Sequence, residues 1–375
     1  QRVEMVRNPH YSMVDAHGRR LPYLDKMVQL IVPDQNTELL KFNSGEIDFL
    51  DIRSIRGADA ARMKQKENTG NYTMYNLGPD DGTLFLMFNM NRRKNNETGK
   101  PFVTPVKRTW FNNLYFRRAV SIAIDRQKLV DNVLKGVGIP IFSHFSAGSL
   151  WYNPKLKYYG QNIEKAKELL EKGGFELKEG QLYDRDKNKV EFTLLTNAGN
   201  TARDATCVMI QNDLKKLGMK VNYQPVDFNI LIDKINNKLD WDAVLMGLTG
   251  NKLEPYDSAN VWKSDGRIHL FDQRLPDKNG EIKATDARLW EKEIDECFDN
   301  GASTFDPKKR NQSFDKFQEI AHSKVPFIYL YSMLDITAMR NKFGNYKPTP
   351  LAISYPPKGT LHNIEEIYIK KDGKK

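Results

Sequence analysis

Six histidines stand at positions 10, 17, 144, 269, 322 and 362. No two share the i, i+4 spacing that puts a pair of imidazoles on one helix face to hold a metal. Cys207 and Cys297 fall in separate predicted helices. Cys207 has Ala205, Val208 and Met209 beside it, where a small buried apolar residue is the expected role. Glu46 and Asp48 flank Ile47 and read as a solvated turn, not as an acid/base pair. Gly247-Leu-Thr-Gly-Asn251 shares its glycines with phosphate loops but lacks the Gly-Lys-Ser/Thr ending and a following helix. It reads as a turn through which a ligand can approach backbone. No nucleophile, base and metal ligand assemble, so the expectation is binding without turnover, with no cofactor and no metal.

Stacking and hydrogen bonding are the chemistry that remains. The segment 138–154 is a long loop, Gly-Ile-Pro-Ile-Phe-Ser-His-Phe-Ser-Ala-Gly-Ser-Leu-Trp-Tyr-Asn-Pro, and loops of this length in compact proteins are usually functional. His144, Phe145 and Trp151 lie in it, and Tyr256 and Trp262 lie further on. The rings can stack on a solute; core packing is the competing role for each. Asn197 and Asn251 supply amide donors and acceptors.

The stretch from 190 to 255 must position these groups. Residues 190–196, 219–226 and 242–248 read as strands, 201–217 and 227–238 as helices. Such alternation predicts right-handed crossovers and a parallel sheet. Ligands of these sheets sit at the carboxyl ends of the strands, here 197–200, 226–228 and 247–255. The expected site therefore comprises Asn197, Asn251, Trp151, Trp262, Tyr256, Phe145 and His144. Elsewhere, 83–91 and 325–331 read as buried strands, 364–369 as a last strand, and 284–300 and 306–324 as helices, the second capped by Asp306.

At 375 residues the chain is long enough for two or three cores. The net charge of +10 is scattered along helix faces, with local clusters only at 91–96 and 370–375, so nucleic acid is not an expected partner. No apolar run is long enough to cross a bilayer.

Taken in order, Arg7-Asn-Pro-His-Tyr11, Pro22-Tyr-Leu-Asp25, Asn43-Ser-Gly-Glu-Ile-Asp48, Phe116-Arg-Arg-Ala-Val-Ser-Ile-Ala-Ile-Asp125, Glu164-Lys-Ala-Lys-Glu-Leu-Leu170 and Val325-Pro-Phe-Ile-Tyr-Leu330 resemble the extracellular solute-binding proteins of ABC importers, family five. Its members carry oligopeptides, dipeptides, nickel or oligosaccharides. The resemblance implies an α/β fold of the type II periplasmic-binding-protein kind, with two lobes joined by hinge strands. The expected boundaries are a partial first lobe of 1–111 with 346–375 and a far lobe of 112–345, with hinges near 111–114 and 343–347. It also implies a chain lacking the family's N-terminal part, a monomer possible to complete by that fragment. The implied partners are a small solute, a peptide foremost, and a membrane permease, in the periplasm or outside the cell with a lipoprotein anchor compatible. Peptide carriers of the family place a Trp and an Asp in the turn where this chain has Leu248 and Asn251, so the charged anchor for a peptide amino group is replaced by an amide. A sugar or metal chelate, an enzyme on the same fold, and a sensory or partner-binding domain are the rival expectations.

Overall fold

The computed structural model describes residues 2–32, 34–52, 54–250, 252–350 and 360–370. The chain forms two compact units, residues 1–79 with 333–375, and residues 80–332.

The smaller unit opens with β1 (Arg2–Val6) paired antiparallel with β2 (Lys26–Leu30), Arg2 opposite Leu30. The helix α1 (Gln35–Ser44) begins where the Asp34 carboxylate accepts from Thr37 N and ends at Gly45, whose φ of 85° favours glycine. Then come β3 (Phe49–Leu50), α2 (Gly57–Gln65) and β4 (Tyr72–Pro79). Glu46 pairs with Lys41 and Asp48 with Lys342 at 2.7 Å. Both carboxylates are therefore surface ion-pair partners, as a solvated turn requires.

In the larger unit the order is β5 (Thr83–Phe88), α3 (Pro105–Asn112), α4 (Leu114–Ala123), α5 (Arg126–Val133), β6 (Gly138–Pro140) and α6 (Ile163–Lys172). The hairpin of β7 (Glu176–Lys178) and β8 (Gln181–Tyr183) leads to β9 (Glu191–Asn197), α7 (Thr201–Lys215), β10 (Lys220–Val226), α8 (Phe228–Asp233) and β11 (Ala243–Leu248). The helices α9 (Ala259–Trp262), α10 (Leu289–Ala302) and α11 (Pro307–Lys324) follow. The strand β12 (Phe327–Arg340) runs out of the larger unit into the smaller, where its later residues pair with β3 and β4. Last, β13 (Phe343–Gly344) pairs with β14 (Tyr368–Ile369). The predicted strand 364–369 is thus a turn at Ile364–Glu366 followed by a two-residue strand.

The sheet of the larger unit has the order β10-β9-β11-β5-β12. The neighbours β10, β9 and β11 are parallel, as their alternation with helices predicts. The strand β5 is antiparallel to both β11 and β12, so the sheet is mixed. Every residue of β5 is buried because helices cover both faces. Its side chains alternate between two cores. Leu84, Leu86 and Phe88 join Phe111, Phe116, Val120, Cys207 and Ile210 on one side, and Phe85 and Met87 join Trp262, Phe271, Cys297, Phe298 and Phe317 on the other. In β12 a register shift between Tyr329 and Tyr331 breaks the alternation, and Leu330 and Tyr331 both enter the first core.

The unit boundaries differ from those expected at 111/112 and 345/346. Strand β5 and helix α3 belong to the larger unit: β5 lies in the middle of its sheet, and Phe111, expected at a hinge, is fully buried against Phe88. The chain passes between the units at 79/80 and 332/333 instead. The helix expected at 284–300 starts only at Leu289, where the Arg288 backbone N–H donates to Glu291.

Candidate functional site

Three turns and one loop meet at the carboxyl edge of the parallel strands. The first turn follows β9, where Asn200 accepts from Arg203 N at 3.0 Å and so starts α7. Arg203 Nη1 reaches back to donate to Asn197 Oδ1 at 2.6 Å. This guanidinium is half-buried, and burial lowers its pKa. No carboxylate lies within ion-pair distance of it among the described residues. It also sits in the first turn of a helix, where the macrodipole disfavours a cation. Asn197 and Arg203 together therefore present donors that suit an anionic or carbonyl oxygen.

The second turn follows β11, and the third, 80–82, leads into β5. Gly250 packs so closely on the third turn that a Cβ on it would lie 2.3 Å from the Asp81 carbonyl oxygen. The glycine pattern of 247–251 thus serves an approach of the chain's own backbone. Gly247 lies beside Arg203, with 3.5 Å from a Cβ at that position to Nη2.

The long loop is fastened to these turns. Ser146 donates to Asp80 O at 2.7 Å, Leu150 N to Lys252 O at 3.3 Å, and Trp151 Nε1 to Leu253 O at 2.8 Å. Trp151 is half-buried between the Arg310 guanidinium, 5.0 Å from its ring centre, and Phe314. Arg310 in turn is paired with Glu254 at 2.5 Å. Tyr256, one turn beyond, is exposed and leans on Phe298.

The predicted site residues therefore separate. Asn197, Trp151 and Tyr256 lie at or beside the carboxyl edge, and Asn251 lies outside the described residues. Trp262 does not line an open surface: it is fully buried among His144, Phe271, Phe317 and Phe327, its indole N–H without a partner among the described residues. Phe145 is likewise in the second core. The apolar area of both rings goes into packing, the competing role for each. His144 faces inward, its Nδ1 3.2 Å from the Tyr329 hydroxyl, and burial pushes its pKa down to about 3. Sequence reasoning missed Arg203 and the turn at Asp80, although a cation in the first turn of a helix is a legible anomaly.

Comparisons with known proteins agree with this architecture. Residues 1–269 match the family model of bacterial extracellular solute-binding proteins, family 5. A probable ABC transporter-binding protein of Deinococcus radiodurans is 29% identical in an alignment 354 residues long that covers 88% of this chain and 55% of that protein. The oligopeptide-binding protein AppA of Bacillus subtilis is 27% identical in an alignment 365 residues long that covers 95% of this chain and 58% of that one. The solved structure of AppA in complex with a nonapeptide superposes with a TM-score of 0.67 at 24% identity, over 99% of this chain and 64% of that one. The chain spans little more than half the length of these curated relatives. With the match to the family model extending over most of its length and the α/β fold of type II periplasmic-binding proteins in place, the chain belongs to the bacterial extracellular solute-binding proteins of family 5.

Proposed function

We propose that this protein captures a small solute, a peptide foremost, at the carboxyl edge of the β9-β10-β11 sheet and delivers it unchanged to an ABC permease outside the cytoplasmic membrane. The observation that carries this reading is the pair Asn197–Arg203, a half-buried cation with no carboxylate partner among the described residues, set where three turns and a tethered aromatic loop converge. A peptide offers backbone carbonyls and a carboxylate for Arg203 and apolar side chains for Trp151 and Tyr256. Family membership supports the solute-binding role, and the name of the Bacillus subtilis relative supports the peptide class. In this reading Asn197, Arg203, Trp151, Tyr256 and Asn251 contact the solute, while Trp262, Phe145 and His144 hold the scaffold behind them.

Native mass spectrometry of the complete protein as purified tests the solute class. Calorimetry with the peptide so identified then tests the site. Arg203→Ala and Trp151→Ala are each expected to weaken binding several-fold, since a well-packed aromatic contact contributes about 1 kcal/mol beyond area burial. Unchanged affinity in both variants would remove this edge from consideration. A sugar or a metal chelate as the co-purified species would overturn the peptide class while leaving the edge to be tested with that species.

A further inference from the structure

A cavity of about 40 Å³ lies within the larger unit, away from the carboxyl edge, enclosed by α5, the long loop, α11 and β12. Its polar lining is Arg126, Ser121, Ser143, His144, His322 and Tyr329, among others, and no Asp or Glu is present. Arg126 is buried. Its Nε donates to Tyr329 O at 2.7 Å, Nη1 to Ser121 O at 2.7 Å and Nη2 to Ser121 Oγ at 3.0 Å, and its guanidinium lies 4.6 Å from the centre of the Phe142 ring. All these partners are neutral. Three of its five N–H donors are so committed, and no carboxylate reaches it among the described residues. Ser121 O belongs to the last turn of α4, whose terminal carbonyls together carry only about half a negative charge. The cation is therefore incompletely balanced, in contrast with Arg274 and Arg288, which both pair with the buried Asp272 and Glu291.

The other lining groups add donors and no negative charge. His322, from α11, places Nδ1 3.4 Å from the Phe142 carbonyl, with the Tyr158 ring against it. Burial lowers its pKa, and the charges of Arg126 and Arg118 act in the same direction, against the carbonyls of Phe142 and Lys157. The Ser121 hydroxyl accepts from Arg126 and retains its own proton to donate. The Tyr329 hydroxyl can turn from His144 to a guest. We propose that this cavity binds a single small monovalent anion such as chloride, held by Arg126, Ser121 and Tyr329. Room and charge support the choice: on the same measure about 10–15 Å³ holds a water molecule, so the space takes one ion with ease, and a single guanidinium without a carboxylate favours a single negative charge. Such an ion would bridge the end of α4 and the start of α5 to β12.

Crystals of the protein grown in sodium bromide test the site directly, and the expected result is an anomalous peak beside the Arg126 guanidinium. Thermal unfolding in chloride against gluconate at fixed ionic strength is expected to show a Tm a few degrees higher in chloride. That difference should vanish in Arg126→Met and shrink in Ser121→Ala, the milder variant that serves if Arg126→Met does not fold. Absence of a bromide peak at Arg126, or a chloride dependence unchanged in Ser121→Ala, overturns the proposal. Stabilisation by sulfate equal to that by chloride overturns the assignment to a monovalent anion.

Discussion

Arg117 and Arg118, near the start of α4, show what a single side chain can hold together. Arg117 is buried and donates to the carbonyls of Phe111 at 2.8 Å, Lys324 at 2.8 Å and Val325 at 3.1 Å, and Arg118 donates to Ser323 O at 2.8 Å. The last turn of α11 leaves carbonyls without intrahelical partners, and the guanidinium groups supply both donors and positive charge at that negative end. Burial pulls Arg117 down to about 9, and Arg288 and Arg118 nearby act in the same sense, yet it stays charged at neutral pH. Arg117→Met would orphan three acceptors at about 1–3 kcal/mol each, partly offset by relief of the guanidinium's desolvation. The expected loss is about 2–4 kcal/mol, read as a lower urea midpoint. Two tryptophans divide at this scale too. Trp262→Ala should cost about 3–5 kcal/mol of stability as a core truncation, whereas Trp151→Ala should act chiefly on solute affinity; equal urea midpoints for the two variants would contradict the separation.

At the scale of elements, the stretch joining α9 to α10 is held by charge. Asp272, Asp286 and Glu291 meet Arg93, Arg274 and Arg288, with Asp272 paired to Arg288 at 2.5 Å and to Arg93 at 2.9 Å. Burial pushes the Glu291 carboxyl up, but the His269 ring at 3.8 Å and the Arg288 guanidinium outweigh it and hold it well below its ordinary value of 4.5. A carboxyl lowered in the folded state stabilises above its unfolded pKa, and that contribution is lost as the pH falls through 4.5 toward the folded value. Thermal midpoints should therefore drop between neutral pH and pH values below 4.5, and Glu291→Gln should be less stable at neutral pH with a flatter acid limb. A steeper acid limb in the variant would contradict this. The network was not legible in the sequence, because its six members come from positions 93 to 291 and only folding brings them together. Strands β9 and β11 and helix α7 were legible, since period-two and helical patterns are local and Asn200 and Asp306 cap where capping residues should. The continuation of β12 to Arg340 was missed: exposed Met333 and half-buried Leu334 interrupt the apolar run, and the strand's later partners, β3 and β4, lie more than 250 residues earlier. For the site, residue type singled out Trp151 and Trp262 alike, and only packing tells the anchored loop ring from the core ring.

At the scale of the whole molecule, both large apolar cores lie wholly within residues 80–332. That segment expressed alone is expected to unfold cooperatively, with the heat-capacity step of a packed domain; a gradual, featureless melt would contradict the division. The sheet inside it has one thiol on each side, Cys207 in the first core and Cys297 in the second, both buried. Burial pushes Cys207 up to about 12 and Cys297 up to about 11, so neither offers a thiolate to an alkylating reagent at neutral pH while its layer is closed. The chain thus carries two internal clocks. In a pulsed alkylation experiment read by peptide mass spectrometry, the order in which the two cysteines take up label reports which helical layer lifts from the sheet first, with no engineered probe.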